Sequence, residues 1–377
     1  MISSYDLTRI ETRSGLINML GIDGETLDCV LAFQPHQTEE TIDDDEIRVL
    51  NLPPFQRHRI PKKNRNRGDR IVWEPLFLKS HYKSLGRKLD AFFRYYLDGY
   101  PHEAAFGYRS GRNIRENAQV HTGNSRLLSL DIADFFPSIT TERIEKLFQE
   151  IGLNKNIACI LSKFVSIDGA LTLGFPTSPV ISNAITLPID HDLTKIASRY
   201  NACYSRYADD ITFSGNGELP SLQQIETCLL NHGFQIASSK TRQSKKGQSH
   251  YVTGLSVSDP VQPHVPRSQK RKLRQQLYYM GKFGIDDHFQ RIGINNPETI
   301  QSAINSIDGM IKFVSHHEPR MAPILKSQWN EVLRLCDRKP SFKPKQQNRQ
   351  PFHISVDEAE YARNNVKILA LARLRTH

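Results

Sequence analysis

Hydrophobic positions change period several times along the chain, and each change marks an element. Leu85, Leu89, Phe92, Phe93 and Tyr96 recur at helical spacing, which predicts a core-facing helix over 84–97. Residues 127–139 form a mostly apolar run, read as a strand with Asp131 and Asp134 inside it. The run 203–214 reads as two short strands joined at Asp209 and Asp210, because aromatic and β-branched residues flank the pair. Helical patterns over 141–149 and 180–200 alternate with these strands, and after Pro266 the pattern is helical to the end. In 267–280, Leu273, Leu277 and Met280 share one side, while Arg267, Lys270, Arg271 and Arg274 gather on an adjacent side.

The adjacent carboxylates carry the chemistry. Asp is common in turns, so Asp209 and Asp210 alone read equally well as an ordinary hairpin. Asp131 changes the balance, since a carboxylate in a buried strand is expensive unless it is paired or metal-bound. Three carboxylates from two strands suit a pair of Mg²⁺ ions about 3.5–4 Å apart, with Mn²⁺ as the alternative ion. Such a pair activates a 3′-hydroxyl and stabilises leaving pyrophosphate, which is nucleotidyl transfer.

Charge points to the partner. The chain has 377 residues and a net charge of +10. Glu39 to Glu46 form an acidic block, and basic groups gather at 57–70, 240–246, 267–274 and 338–349. One such cluster reads as a solvated face; several beside an acidic centre favour a phosphate backbone. The five cysteines (Cys29, Cys159, Cys203, Cys228 and Cys336) are scattered and never spaced Cys-x-x-Cys, which speaks against a disulfide framework or zinc module. No apolar run approaches 18 residues and no signal peptide opens the chain, so the expected setting is the cytoplasm, with no membrane.

Five short signatures, in order, identify the chain as resembling the bacterial retron reverse transcriptases. DIADFF at 131–136 resembles motif A, GFPTSPVISN at 174–183 motif B and YADD at 207–210 motif C; NAQVH at 117–121 and VTG at 252–254 resemble the retron signatures. The resemblance implies an α+β right-hand polymerase fold with an antiparallel-sheet palm and a helical thumb. Its blocks would be a lead-in and acidic linker (1–50), fingers (51–125), palm (126–262, with a fingers-like insertion at about 150–175), thumb (263–335), and a basic linker with a C-terminal helix (336–377).

The same resemblance assigns roles. Asp131, Asp209 and Asp210 would hold the metals, with Asp134 alternatively capping the following helix. Phe136 would be the steric gate that rejects a ribose 2′-hydroxyl. Lys63 (or Lys62) and Arg70 would clamp the incoming triphosphate, Arg through its planar fork. Gly174 and Pro176 would let backbone approach the nucleotide. Lys240 would serve as general acid for pyrophosphate. Asn117, His121, Val252, Thr253 and Gly254 would recognise RNA, and Arg267, Lys270, Arg271 and Arg274 would track the template–primer backbone. Family members usually carry Gln and a small residue where this chain has Leu173 and Phe175.

The implied partners are a cognate noncoding RNA serving as template and primer, dNTPs, an RNA–DNA hybrid product and a separate effector protein in defence against phage. The product would be branched multicopy single-stranded DNA. The 336–377 segment is too short for an RNase H domain, so template removal would fall to a host RNase H. Two rivals remain: another bacterial reverse transcriptase (intron-encoded, diversity-generating or abortive-infection type), and a catalytically silent RNA-binding scaffold.

Overall fold

The computed structural model describes residues 7–22, 24–32, 55–61, 69–75, 89–97, 99–245 and 247–335. Lys62, Lys63, residues 84–88 of the expected helix, the acidic block and the linker and helix after 335 lie outside the described residues.

Two hydrophobic cores organise the described residues. The first gathers α1 (Arg13–Leu20), α2 (Gly24–Leu31), α3 (89–97) and the elements from 126 to 236. A lead-in helix starts where Thr12 accepts the Gly15 N–H and stops where Gly21 turns left-handed at φ 68. In α3, Leu89, Phe93 and Leu97 are buried, as their spacing predicts, and Phe93 stacks on Phe148 at 4.6 Å. A hairpin of β1 (Phe55–Pro61) and β2 (Asp69–Pro75) stands at the edge, its Phe55 buried against Phe175 at 5.6 Å.

After α4 (Ile114–Gln119), the central sheet pairs four antiparallel strands in the order β6-β7-β3-β8. Here β3 is Arg126–Asp131, β6 Cys203–Tyr207, β7 Asp210–Gly215 and β8 Arg242–Lys245. Helices α5 (Thr141–Glu150) and α6 (Lys155–Phe164) precede a small hairpin, β4 (Ser166–Ile167) with β5 (Ala170–Leu171).

Two expectations need correction. The run 127–139 is a strand only to Asp131; residues 133–138 turn, and exposed Asp134 sits at φ 42. Asp134 does not cap α5, whose first turn is capped by Thr140 through the Arg143 N–H. The expected helix 180–200 is two, α7 (Ser178–Ile185) and α8 (Leu187–Arg199), because Pro188 has no N–H to continue the first. Next comes α9 (Leu222–Asn231).

The second core joins the hairpin of β9 (Tyr251–Val252) and β10 (Leu255–Ser256) to α10 (Arg267–Phe283), α11 (Ile285–Arg291), α12 (Pro297–His317) and α13 (Ala322–Arg334). Leu273, Leu277 and Met280 are buried there, the stripe the sequence predicted. Among the described residues no helix is long and apolar enough to cross a membrane.

Candidate active site

Antiparallel pairing sets the carboxylates together. Asp131 ends β3 opposite Asp210, which begins β7, and Tyr207 pairs with Asp210 across a two-residue turn of Ala208 and Asp209. Carboxylate oxygens from Asp131, Asp209 and Asp210 all lie within 4.8 Å of one another. The turn has the φ pattern of type II′, with Ala208 at φ 58, where glycine is usual. A strained alanine persists only where its surroundings over-determine it.

Those surroundings are unusual. Arg206 is fully buried and forms a bidentate pair with buried Asp190 of α8, Nε at 2.8 Å and Nη2 at 2.6 Å. Its Nη1 donates to the Ala208 carbonyl at 3.0 Å, and Nη2 also reaches Asn183 Oδ1 at 3.2 Å. Tyr204 donates its hydroxyl to Asp190 at 2.6 Å. Burial works against the Arg206 charge, but Asp190 outweighs it and holds the guanidinium firmly protonated. The open edge of β6 is covered by residues 104–106, through Arg206 N–H to Ala104 O and Phe106 N–H to Arg206 O, both 2.8 Å. That segment brings Gly107 against the turn so closely that a Cβ there would lie 2.5 Å from the Ala208 nitrogen. Asn183 completes the ring by donating to the Gly107 carbonyl at 2.9 Å.

The front of the turn is electrostatically unfinished. Burial and then Asp131 raise Asp209 above the ordinary carboxylate range, with Lys240 and Arg70 pulling it down. Asp210 is exposed as a residue, yet protein crowds its carboxyl; lost solvation, then Asp209 and Asp131, push it up to about 7. Lys240 places its ammonium on Asp131. Among the described residues Lys240 is the one direct ion-pair partner of the three carboxylates, which leaves negative charge unmatched there, and the donors are all hard oxygens. The residues therefore fit a hard divalent cation.

A family model described as reverse transcriptase (RNA-dependent DNA polymerase) matches residues 60–264, more than half of the 377. The chain belongs to the reverse transcriptase family. It is similar to the retron Mx65 reverse transcriptase of Myxococcus xanthus, 29% identical over 70% of this chain and 61% of that one. The retron Mx162 reverse transcriptase of the same organism is 30% identical over 61% of this chain and 52% of that one. For the retron Ec83 reverse transcriptase of Escherichia coli the figures are 29%, 74% and 87%. The chain thus spans between half and two thirds of the first two relatives, and most of the third.

Within this family member, the remaining predicted residues divide. Phe136 is half-buried within the motif A turn, its ring 6.3 Å from that of Tyr108, which sits at φ 63. Tyr108 lies close to the acids: burial, then Asp209, raises its hydroxyl pKa, with Arg70 of β2 among the opposing charges. Gly174 needs its glycine twice over, at φ 108 and with Trp73 O and Val72 Cγ1 each 3.1 Å from where a Cβ would stand. Pro176 follows, half-buried. Of the departures in motif B, packing explains Phe175, buried against Phe55; at Leu173 the carbonyl accepts from Trp73 N–H at 3.4 Å, a bond any residue makes, and nothing in the structure explains the leucine.

The two retron-like signatures meet in space, since α4 packs against β9 and β10. Their side chains are mostly interior. His121 is fully buried between the Ser214 and Ser205 hydroxyls, each at 2.7 Å, and burial pushes its pKa down to about 3. It is a neutral brace between α4 and the β6–β7 hairpin. Asn117 and Val252 are also buried. Thr253 and Gly254 form the β9–β10 turn at φ 46 and φ 85, the φ signs of type I′, and Thr253 Oγ1 donates to the Ile114 carbonyl at 3.0 Å.

On α10, Arg267, Lys270, Arg271 and Arg274 line one surface depression. Lys270 is already committed, at 2.6 and 2.9 Å, to Glu318. Arg267, Arg271 and Arg274 remain exposed. Sequence reasoning missed Gly107, Tyr108, Asp190 and Arg206. Asp190 carried a signal: it shares the i, i+3, i+7 stripe of Leu193 and Ala197, an acid in a row of buried residues.

Proposed function

We propose that the chain is an RNA-directed DNA polymerase of the retron type, copying a cognate noncoding RNA into single-stranded DNA joined to that RNA by a branch. The observation that carries this reading is the meeting of Asp131, Asp209 and Asp210 within 4.8 Å at the paired ends of two strands. Mg²⁺ held by these carboxylates, with Mn²⁺ as its substitute, would supply Lewis-acid stabilisation of the attacking and leaving oxygens. Arg70 orients the triphosphate from the β1–β2 hairpin, and Lys63, outside the described residues, joins it. Lys240, beside Asp131, holds a proton at Nζ for the departing pyrophosphate. Phe136, beside Tyr108, closes the space a ribose 2′-hydroxyl requires, so dNTPs are preferred. Arg267, Arg271 and Arg274 hold the backbone of the RNA–DNA hybrid.

The similarity to retron enzymes and the packing of α4 against β9–β10 support a recognition surface there for RNA stem-loops. The product would act with a separate effector in defence against phage. The test is nucleic acid co-purifying from cells that express the protein with its native flanking DNA. A discrete DNA band, shifted by debranching and absent from Asp209→Ala/Asp210→Ala, is expected. Primer extension on an added template without such a band keeps the polymerase and removes the retron type; neither activity removes both.

A further inference from the structure

A second set of metal-capable side chains lies away from the catalytic carboxylates. Asp192 of α8, Cys228 of α9 and His232, the C-terminal cap of α9, present ligand atoms all within 4.8 Å of one another. Cys228 and His232 are four apart, which sets them on one face of their helix. His232 Nε2 is 3.0 Å from Asp192 Oδ2. Bonds of about 2.0–2.3 Å in a tetrahedral zinc site place neighbouring donors roughly 3.3–3.7 Å apart, so this pair is already near that spacing. Lys195 pairs with the other oxygen, Oδ1, at 3.2 Å, which leaves Oδ2 for His232. The three side chains border a surface depression with Gln224 and Asn231, so solvent reaches a fourth position. A thiol, an imidazole and a carboxylate are a borderline-soft set, which selects Zn²⁺ over the Mg²⁺ suited to three carboxylates.

We propose that Asp192, Cys228 and His232 form a Zn²⁺ site that clips α8 to α9. Asp190, two residues before Asp192, turns inward to Arg206 while Asp192 turns out to α9, so the clip braces the helix that anchors the catalytic turn. The site stands independently of the proposed polymerase function and is tested without it.

The experiment is Co²⁺ titration of the reduced full-length protein in excess Mg²⁺, which occupies all-oxygen sites. A near-ultraviolet thiolate-to-cobalt charge-transfer band is expected, lost in Cys228→Ser. His232→Gln, which leaves the buried thiol in place but removes a direct ligand, should weaken Co²⁺ by more than about 100-fold, beyond the 10–100-fold that loss of an outer-shell partner costs. Zn²⁺ at about a hundred times its wild-type Kd should raise Tm by roughly 5 °C in wild type and by no more than about 1 °C in His232→Gln. No band, or a band that survives Cys228→Ser, overturns the site and leaves an ordinary Asp192–His232 hydrogen bond. An equal Zn²⁺-dependent Tm rise in both proteins overturns the clip.

Discussion

Two hairpin turns in this molecule share a local problem and solve it by opposite means. Both the β6–β7 turn and the β9–β10 turn have two central residues, and each sets a non-glycine residue at positive φ, Ala208 at 58 and Thr253 at 46. Ala208 is held from behind by a buried guanidinium and from the side by a glycine pressed to its backbone. Thr253 is held by its own hydroxyl on one helix carbonyl, with Gly254 beside it taking the second positive φ. The turn that carries the acids is locked by the core; the turn in the retron-like signature is tied, beyond its own strand pairing, by the Thr253 side-chain bond to α4. The lesson is that fixed carboxylate geometry demands rigid backing, whereas a surface turn tolerates give.

The largest effect should come from breaking the backing. Arg206→Ala leaves Asp190 buried with the Tyr204 hydroxyl but no counter-charge, which should cost about 3–5 kcal/mol in chemical denaturation and abolish dNTP incorporation. The double variant Asp190→Leu/Arg206→Met should regain most of that stability. Incorporation should nonetheless stay low, because nothing then holds the Ala208 carbonyl. Recovery of both would reduce the pair to a core element.

Gly107→Ala attacks the same turn from the side. Crowding at the Ala208 nitrogen should cost about 1–3 kcal/mol and, by displacing the acids, lower kcat on the order of 10²-fold. Unchanged kcat at reduced stability would refute the positioning role.

The third effect is one of pH. In metal-free protein Asp210 titrates near 7, well above its unfolded value of 3.8. Between those limits the folded state binds more protons than the unfolded one, so stability falls as pH rises from about 4 to about 7. Solvent around Asp210 keeps the slope modest. Denaturation across that window should show a flatter curve for Asp210→Asn, although the variant no longer polymerises. A wild-type curve rising through the window would contradict the crowding of the acids.

The smallest effect is expected at the other turn. Thr253→Val removes the bond to Ile114 and should cost about 1 kcal/mol, with extension on a generic primer–template intact. A collapse of general polymerase activity would erase the contrast between the turns.

How much of this was readable beforehand follows from where the information lies. The carboxylates stood out because strand–acid–strand is a local pattern, and Asp131 stood out because an acid interrupts apolar residues. Phe93, Leu273 and Leu277 likewise went where helical spacing sends them. Arg206 and Asp190 lie 16 residues apart on different elements, and only the fold makes them a pair. Lys270 read as one of a run of cations because its partner, Glu318, lies 48 residues on. Asp134 misled because a strand pattern cannot report the residue at which pairing stops.

His121, buried between two hydroxyls, has a consequence for anyone redesigning template choice. The letters of the upstream signature are chassis rather than address label: transplanting them between relatives would carry over a rivet and leave the destination unchanged. A library meant to re-aim the protein should keep Asn117 and His121 fixed and vary outward positions such as Tyr251 instead.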